Sequence, residues 1–277
     1  MTDVCYAERM KEYNTYFIAE GDREGGLRVE RLVKGNPTCN CYSVAKVFTV
    51  TAIGILYDQG LLTPETRLTE LLKADLPDGI DPRWHRVTLH DLMLHRAGFG
   101  HGMLDIDVED ASQYPTDDYL AMTLGTPLVH EPGEVSQYTD AAFYLLSRAV
   151  FAASGKDLAE LLRPILMGTM RFKEFAWSTC PHGYAMGATG LYLRTEDVAK
   201  LGILYLREGD WFGTRILSRE WVSLVLSRGY ELKAVGDGWY AKGGMRGQLL
   251  MLHPERGVTV ACHSYDDRVD RHRLMAE

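Results

Sequence analysis

The apolar positions of this chain change period twice. In "NTYFIAEGD" and "GLRVERLVKGN" they alternate weakly, with "REGG" between them, which predicts two strands joined by a turn. From Val44 to Tyr57 every residue but one is apolar, Gly or Thr, so this stretch reads as a buried helix stopped by Gly60. The exception is Lys46. From "LTPETRLTELL" onward apolar residues recur at steps of three and four. The stretches "TLHDLMLHRAG", "TDDYLAMTLG", "DAAFYLLSRAVFAASG" and "KDLAELLRPILMG" each close on a glycine and predict helices. "TEDVAKLGILYLREG" and "SREWVSLVLSRG" predict two more, opened by the cap residues Thr195 and Ser218. The period then becomes two: "GWYAKGG", "RGQLLMLHP" and "GVTVACHSY" predict strands, the last two joined by a "PERG" turn. "DDRVDRHRLMAE" suits a closing helix.

Strands at both ends with helices between them predict an α+β fold: an antiparallel sheet formed from both termini and flanked by helices, with an inserted all-helical lobe. The expected sheet domain takes residues 1–61 plus 186–277 and the helical domain 62–185. A cleft between two such lobes is a natural place for a site.

A net charge of -8 and a pI near 5.6, with no long basic run, argue against nucleic acid or an anionic membrane as partner. The first residues, "MTDVCYAERMKEYNTYF", hold no apolar core of signal-peptide length, and the apolar run near 47–57 is too short for a bilayer. A cytoplasmic location is therefore expected. Five scattered cysteines fit free thiols in a reducing compartment better than a disulfide or zinc framework.

A lysine in an apolar helix needs a partner or a task. Ser43 lies three residues before it, so on a helix the two share a face. A serine hydroxyl needs a base, and a desolvated lysine can serve as one. Ser43 also stands at the expected helix start, where free N–H groups favour a developing negative charge. The bland alternative has Ser43 as a cap and Lys46 reaching back to solvent. Two further motifs change the balance. Tyr138-Thr139-Asp140 follows a Pro-Gly turn at the start of a helix, and Lys242-Gly243-Gly244 falls on an expected strand.

With these residues in this order the chain resembles the serine β-lactamase and penicillin-binding-protein superfamily, in particular its class C and esterase-like branch. That superfamily has Ser-x-x-Lys, Tyr-x-Asn and Lys-[Ser/Thr]-Gly or His-x-Gly elements in the same sequence. "VTLHDLMLHRAGFG" and "GATGLYLRTEDVAKLGILYLREGDWFGTRILSREWV" are similar to its connecting segments. The resemblance implies that Ser43 attacks a carbonyl and carries the acyl group, while Lys46 and Tyr138 share the proton work. It implies an oxyanion hole from the backbone N–H groups of Ser43 and Met245. Lys242 would add positive charge, and Gly243 and Gly244 would keep the strand bare for substrate. Taken one at a time, Tyr138 is one of fifteen tyrosines, Asp140 could be the N-cap of its helix, and Lys242 could be an edge-strand lysine.

Two departures from the pattern bear on substrate. Asp140 stands where the family most often has Asn; its carboxylate could pair with Lys46 and keep it charged, leaving Tyr138 as the base and Lys46 as relay and electrostatic support. Gly243 replaces a hydroxyl that helps to hold a substrate carboxylate. The expected activity is a serine hydrolase acting through an acyl-enzyme on small ester or amide molecules. No cofactor, metal, nucleic acid or membrane is expected, and the oligomeric state stays open. A β-lactamase or D-Ala-directed carboxypeptidase on the same scaffold, and a catalytically silent binding protein, are the alternatives. Other motifs fail: no serine is flanked by glycines at both second neighbours, and no His-Glu-x-x-His is present. "DIDVEDASQYPT" begins like a calcium loop but has Asp110 where Gly is needed and Thr116 where Glu is needed.

Overall fold

The computed structural model describes residues 14–267, so the expected closing helix lies almost wholly outside the described residues. The chain runs through β1 (Thr15–Asp22), β2 (Leu27–Arg31), β3 (Thr38–Asn40), α1 (Ala45–Asp58), α2 (Leu68–Leu71) and α3 (Leu89–Met93). It continues through α4 (Tyr119–Gly125), α5 (Asp140–Ser154), α6 (Leu158–Leu162), β4 (Phe175–Trp177), β5 (Leu191–Arg194) and α7 (Thr195–Leu206). The last elements are β6 (Asp210–Trp211), β7 (Thr214–Arg215), α8 (Arg219–Arg228), β8 (Lys233–Gly236), β9 (Trp239–Gly243), β10 (Leu249–His253) and β11 (Val258–Ser264).

Two compact units result. Among the described residues, one holds those up to Val44, Met167–Ala176 and those from Leu191 onward; the other holds Ala45–Leu166 and Trp177–Gly190. The helix α1 belongs to the second unit, whereas the boundary expected near residue 61 assigns it to the first.

The first unit is built on a six-stranded sheet in the order β2-β1-β11-β10-β9-β8. Its centre pairs the two ends of the chain, β1 running antiparallel to β11 with Ile18 opposite Cys262 and Ala19 opposite Ala261. The remaining pairs are antiparallel too. This is the α+β arrangement expected, with the sheet made from both termini. Alternation sends Ile18, Trp239, Ala241, Leu249, Met251, Val260 and Cys262 to one apolar face. Against the other face lies α7, so close that a Cβ on Gly202 would meet Thr259 Oγ1 at 2.0 Å. Only a bare backbone fits there. A second sheet, β3-β5-β4, was not anticipated: strands of three or four residues are too short to show a period.

The second unit is helical. From Ala45 to Leu56 every residue of α1 is buried, as its all-round apolar sequence requires, and it packs on α5 and α6. Its polar side chains are answered locally: Thr51 Oγ1 donates to Val47 O at 2.8 Å and Thr49 Oγ1 to Gly187 O at 2.7 Å. The helix α5 ends as expected at Gly155, left-handed at φ 69°. By contrast α3 stops at Met93 and not near Gly98, because His95 itself turns left-handed at φ 57°. Past α6 the backbone widens into a π-turn over Arg163–Gly168, where Pro164 can give no N–H to an α-helical ladder.

Candidate active site

The candidate residues fall into two groups, one in each unit. In the helical unit, Lys46 is the second residue of α1 and its side chain is fully buried. Its Nζ donates to Asp140 Oδ1 at 2.7 Å and to Ala188 O at 3.0 Å. The same nitrogen lies 4.8 Å from the centroid of the Tyr138 ring and 5.6 Å from that of Phe143. Snorkelling to solvent is thus excluded, and the pairing with Asp140 expected from sequence is present.

Capping α5 is not the task of Asp140. The N-cap is Thr139, whose hydroxyl accepts from Ala141 N at 3.3 Å and from Met103 N at 3.0 Å. Asp140 occupies the first helical position, and its carboxylate is turned to Lys46. Sequence position alone did not separate the two residues, since either side chain makes a good cap.

Tyr138 keeps an exposed face, at 47% of its surface, while its other side is backed by His95. The two rings lie 4.4 Å apart between centroids, and His95 Nδ1 accepts from Thr139 N at 3.3 Å. An accepting Nδ1 places the imidazole proton on Nε2. The backbone joins in, with Gln137 N donating to His95 O at 2.8 Å. A buried histidine in "LHRAG" thus supports the segment that carries Tyr138 and Asp140, and its left-handed φ brings it there.

Acidic groups gather at the same place. One oxygen each from Asp105, Asp107 and Asp140 lies within 4.8 Å of the others. Burial, then Asp140, then Asp107, raise the Asp105 carboxyl above its ordinary pKa. Among the described residues this trio is the set that could offer oxygens to a cation. The Lys46 ammonium already fills a cation's place against Asp140, and Asp107 also accepts a hydrogen bond from Thr189 Oγ1.

In the sheet unit, Ser43 sits half-buried in a 3-10 turn, Tyr42–Val44, that leads directly into α1. Asn40 Oδ1 accepts from Tyr42 N at 2.9 Å, Val44 N donates to Cys41 O at 3.1 Å, and Tyr42 is left-handed at φ 45°. Behind the turn is a buried polar chain. Cys41 Sγ lies 3.7 Å from His263 Nε2, and His263 Nδ1 lies 2.8 Å from Thr195 Oγ1. Burial drives the His263 pKa down to about 3 and pushes the Cys41 thiol up, so both are neutral.

Strand β9 ends against this turn. A Cβ on Gly244 would stand 2.8 Å from Cys41 O and 3.2 Å from Ser43 N, so glycine lets the strand end lie on the backbone of the serine turn. Met245 follows and opens a second 3-10 turn, fastened by Gly244 N donating to Gln248 O at 2.8 Å. Ser43, Gly244 and Met245 are therefore brought to one neighbourhood, with Gly243 as the last residue of β9. Lys242 departs from expectation. Its ammonium forms an ion pair with Glu231, whose side chain is fully buried, so its charge is offset within the protein. Glu231 lies eleven positions away in a left-handed turn at φ 64°, with no sequence signal to single it out.

The chain is similar to several known proteins in sequence and in fold. Residues 31% identical over 146 positions are found in "Probable fimbrial assembly protein FimD, serogroup H1" of Dichelobacter nodosus, covering 51% of this chain and 36% of that protein. Esterase EstB of Burkholderia gladioli is 29% identical over 160 residues, covering 52% of this chain and 39% of the esterase. The chain thus spans little more than a third of the length of these curated relatives. Among solved structures, the penicillin-binding protein from Bacillus halodurans superposes with a TM-score of 0.73 at 18% identity, over 99% of this chain and 98% of its own. The octameric penicillin-binding protein homologue from Pyrococcus abyssi gives 0.68 at 17%, over 97% and 73%. At such identities these likenesses bear on fold alone. The family described as Beta-lactamase matches residues 11–275, nearly the whole chain, and the protein belongs to that family.

Proposed function

We propose that this protein is a serine hydrolase that forms an acyl-enzyme at Ser43 and acts on small, uncharged esters or amides. The observation that carries the proposal is the environment of Lys46, a wholly buried ammonium held by a carboxylate and a carbonyl and lying beside the Tyr138 ring. Such a charge is costly to bury, and it stands three residues after the serine in a continuous helical run. The named relatives, an esterase among them, are consistent with it.

In this reading the Ser43 hydroxyl oxygen bonds to the acyl carbon as its proton passes to the general base, the role assigned to Tyr138. The carbonyl oxygen takes up the negative charge, and the backbone N–H groups of Ser43 and Met245 receive it. Collapse expels the alkoxide or amine, which takes the proton from Tyr138. Water then attacks the acyl carbon, yields a proton to Tyr138, and the departing Ser43 oxygen recovers it. His95 holds the tyrosine ring in place by stacking.

The charge pattern supports neutral substrates. Each of the two lysines is matched by a buried acid, Lys46 by Asp140 and Lys242 by Glu231, and Asp105 and Asp107 add further carboxylates. A substrate carboxylate gains little from cations so occupied. The test is turnover of p-nitrophenyl acetate beside acylation by a fluorescent penicillin. The proposal expects ester hydrolysis that Ser43→Ala abolishes and slow or absent penicillin acylation. Rapid penicillin hydrolysis would establish a β-lactamase instead, and no turnover with no acylation would establish a silent binding protein.

A further inference from the structure

The sheet unit contains a cavity of about 700 Å³ whose lining shares no residue with the candidate active site. It is bounded by Arg23 beyond the end of β1, Arg207 at the end of α7, Arg215 on β7, and a face of α8 carrying Arg219, Val222 and Leu226. Tyr205, Leu206, Tyr240 and Pro254 add apolar wall, and the exposed hydroxyls of Ser223 and Ser227 add polar wall. The volume is that of an ordinary small-molecule site.

Its charge is unusual for an acidic protein. Four arginines face two carboxylates, those of Glu208 and Asp210. Arg207 pairs with Asp210, and Arg219 with Glu208. The other two are held differently. Arg23 Nε donates to Leu206 O at 3.1 Å, and its Nη2 donates to Pro254 O. Arg215 Nη1 donates to the carbonyls of Glu208, at 2.5 Å, and Leu217, at 3.3 Å. Carbonyl oxygens fix a guanidinium in place without cancelling its charge. Among the described residues Arg23 has no carboxylate partner. Arg215 stands across the β6–β7 pair from Asp210 and shares that one carboxylate with Arg207, so the four arginines still outnumber the acids. A guanidinium also has five N–H donors, of which two bonds occupy a minority. Pre-set forks with donors left over are the chemistry that recognises carboxylate and phosphate.

We propose that this cavity binds a small organic anion, a phosphate or carboxylate carried on an apolar body, with Arg23 and Arg215 meeting the anionic group and Val222, Leu226 and Tyr240 meeting the body. The site is separate from Ser43 and does not depend on the hydrolase reading.

Calorimetric titration at low salt with phenyl phosphate, and with benzyl alcohol as neutral control, tests it on the full chain. The expected result is saturable binding of phenyl phosphate below about 10 mM and none of benzyl alcohol. Arg215→Gln should weaken binding at least about tenfold. Because Arg215 also braces a turn, Ser223→Asp provides a second variant: it places a carboxylate at an exposed position on the α8 wall and should weaken binding as much with an unchanged Tm. Ser43→Ala should bind as the parent does. Absence of saturable binding, equal binding of benzyl alcohol, or unchanged affinity in Ser223→Asp overturns the proposal.

Discussion

Lys46 Nζ and Asp140 Oδ1 lie 2.7 Å apart, with the lysine side chain wholly buried and the aspartate nearly so. A pair of this kind gains little over apolar residues of the same shape, but breaking it strands a charge. Asp140→Ala should therefore destabilise the protein by about 3–5 kcal/mol in urea unfolding. The double variant Lys46→Met with Asp140→Leu should be the more stable of the two. Equal loss in both would mean that packing, and not the stranded ammonium, sets the cost.

Tyr138 presents an exposed ring whose inner face rests on His95. Removing the phenol oxygen alone leaves that stacking in place. Tyr138→Phe should lower kcat for p-nitrophenyl acetate by about 100- to 10,000-fold, with KM and Tm little changed. A variant with the parent kcat and an identical pH–rate profile would transfer the base role to Lys46.

Glu231 offsets the charge of Lys242. In Glu231→Gln the acid is replaced by a neutral group of the same shape, and the lysine charge becomes available to a substrate. Acylation by a fluorescent penicillin should then quicken by about tenfold or more, as expected when about 1.4 kcal/mol of attraction is restored. An unchanged rate would show that Lys242 does not act on the substrate carboxylate.

His263 makes stability depend on pH. Its folded pKa, near 3, lies far below the ordinary value of 6.5 because burial opposes the charged form. Below pH 6.5 the unfolded chain binds a proton that the folded chain refuses, so this contribution to stability is complete above 6.5 and falls as pH drops toward 3. The slope is about 1.4 kcal/mol per pH unit over that window. Denaturant unfolding at pH 7 and pH 5 should show the loss in the parent and a smaller one in His263→Gln. Equal losses would contradict a neutral buried imidazole.

The large features were legible because they rest on period and on punctuation. The weak alternation in β1, the short apolar runs of β10 and β11, the apolar run of α1 and the terminal glycine of α5 are each set by a local pattern that the fold reproduces. Lys46 was legible for the opposite reason, as a charge in the wrong solvent. What escaped depends on distant pairings. The short strands β3, β4 and β5 have too few residues to show alternation. Whether Thr139 or Asp140 caps α5 depends on where Lys46 lies, and the neutralising of Lys242 depends on a buried glutamate in a turn. The early end of α3 follows from the left-handed φ of His95, which no helical pattern announces.

The central claim is the nucleophile, and covalent labelling reaches it most directly. After treatment with a fluorophosphonate, intact-mass analysis and peptide mapping should find a single adduct on the peptide bearing Ser43, absent in Ser43→Ala. An adduct on another residue, or ester turnover that survives in Ser43→Ala, would contradict the account.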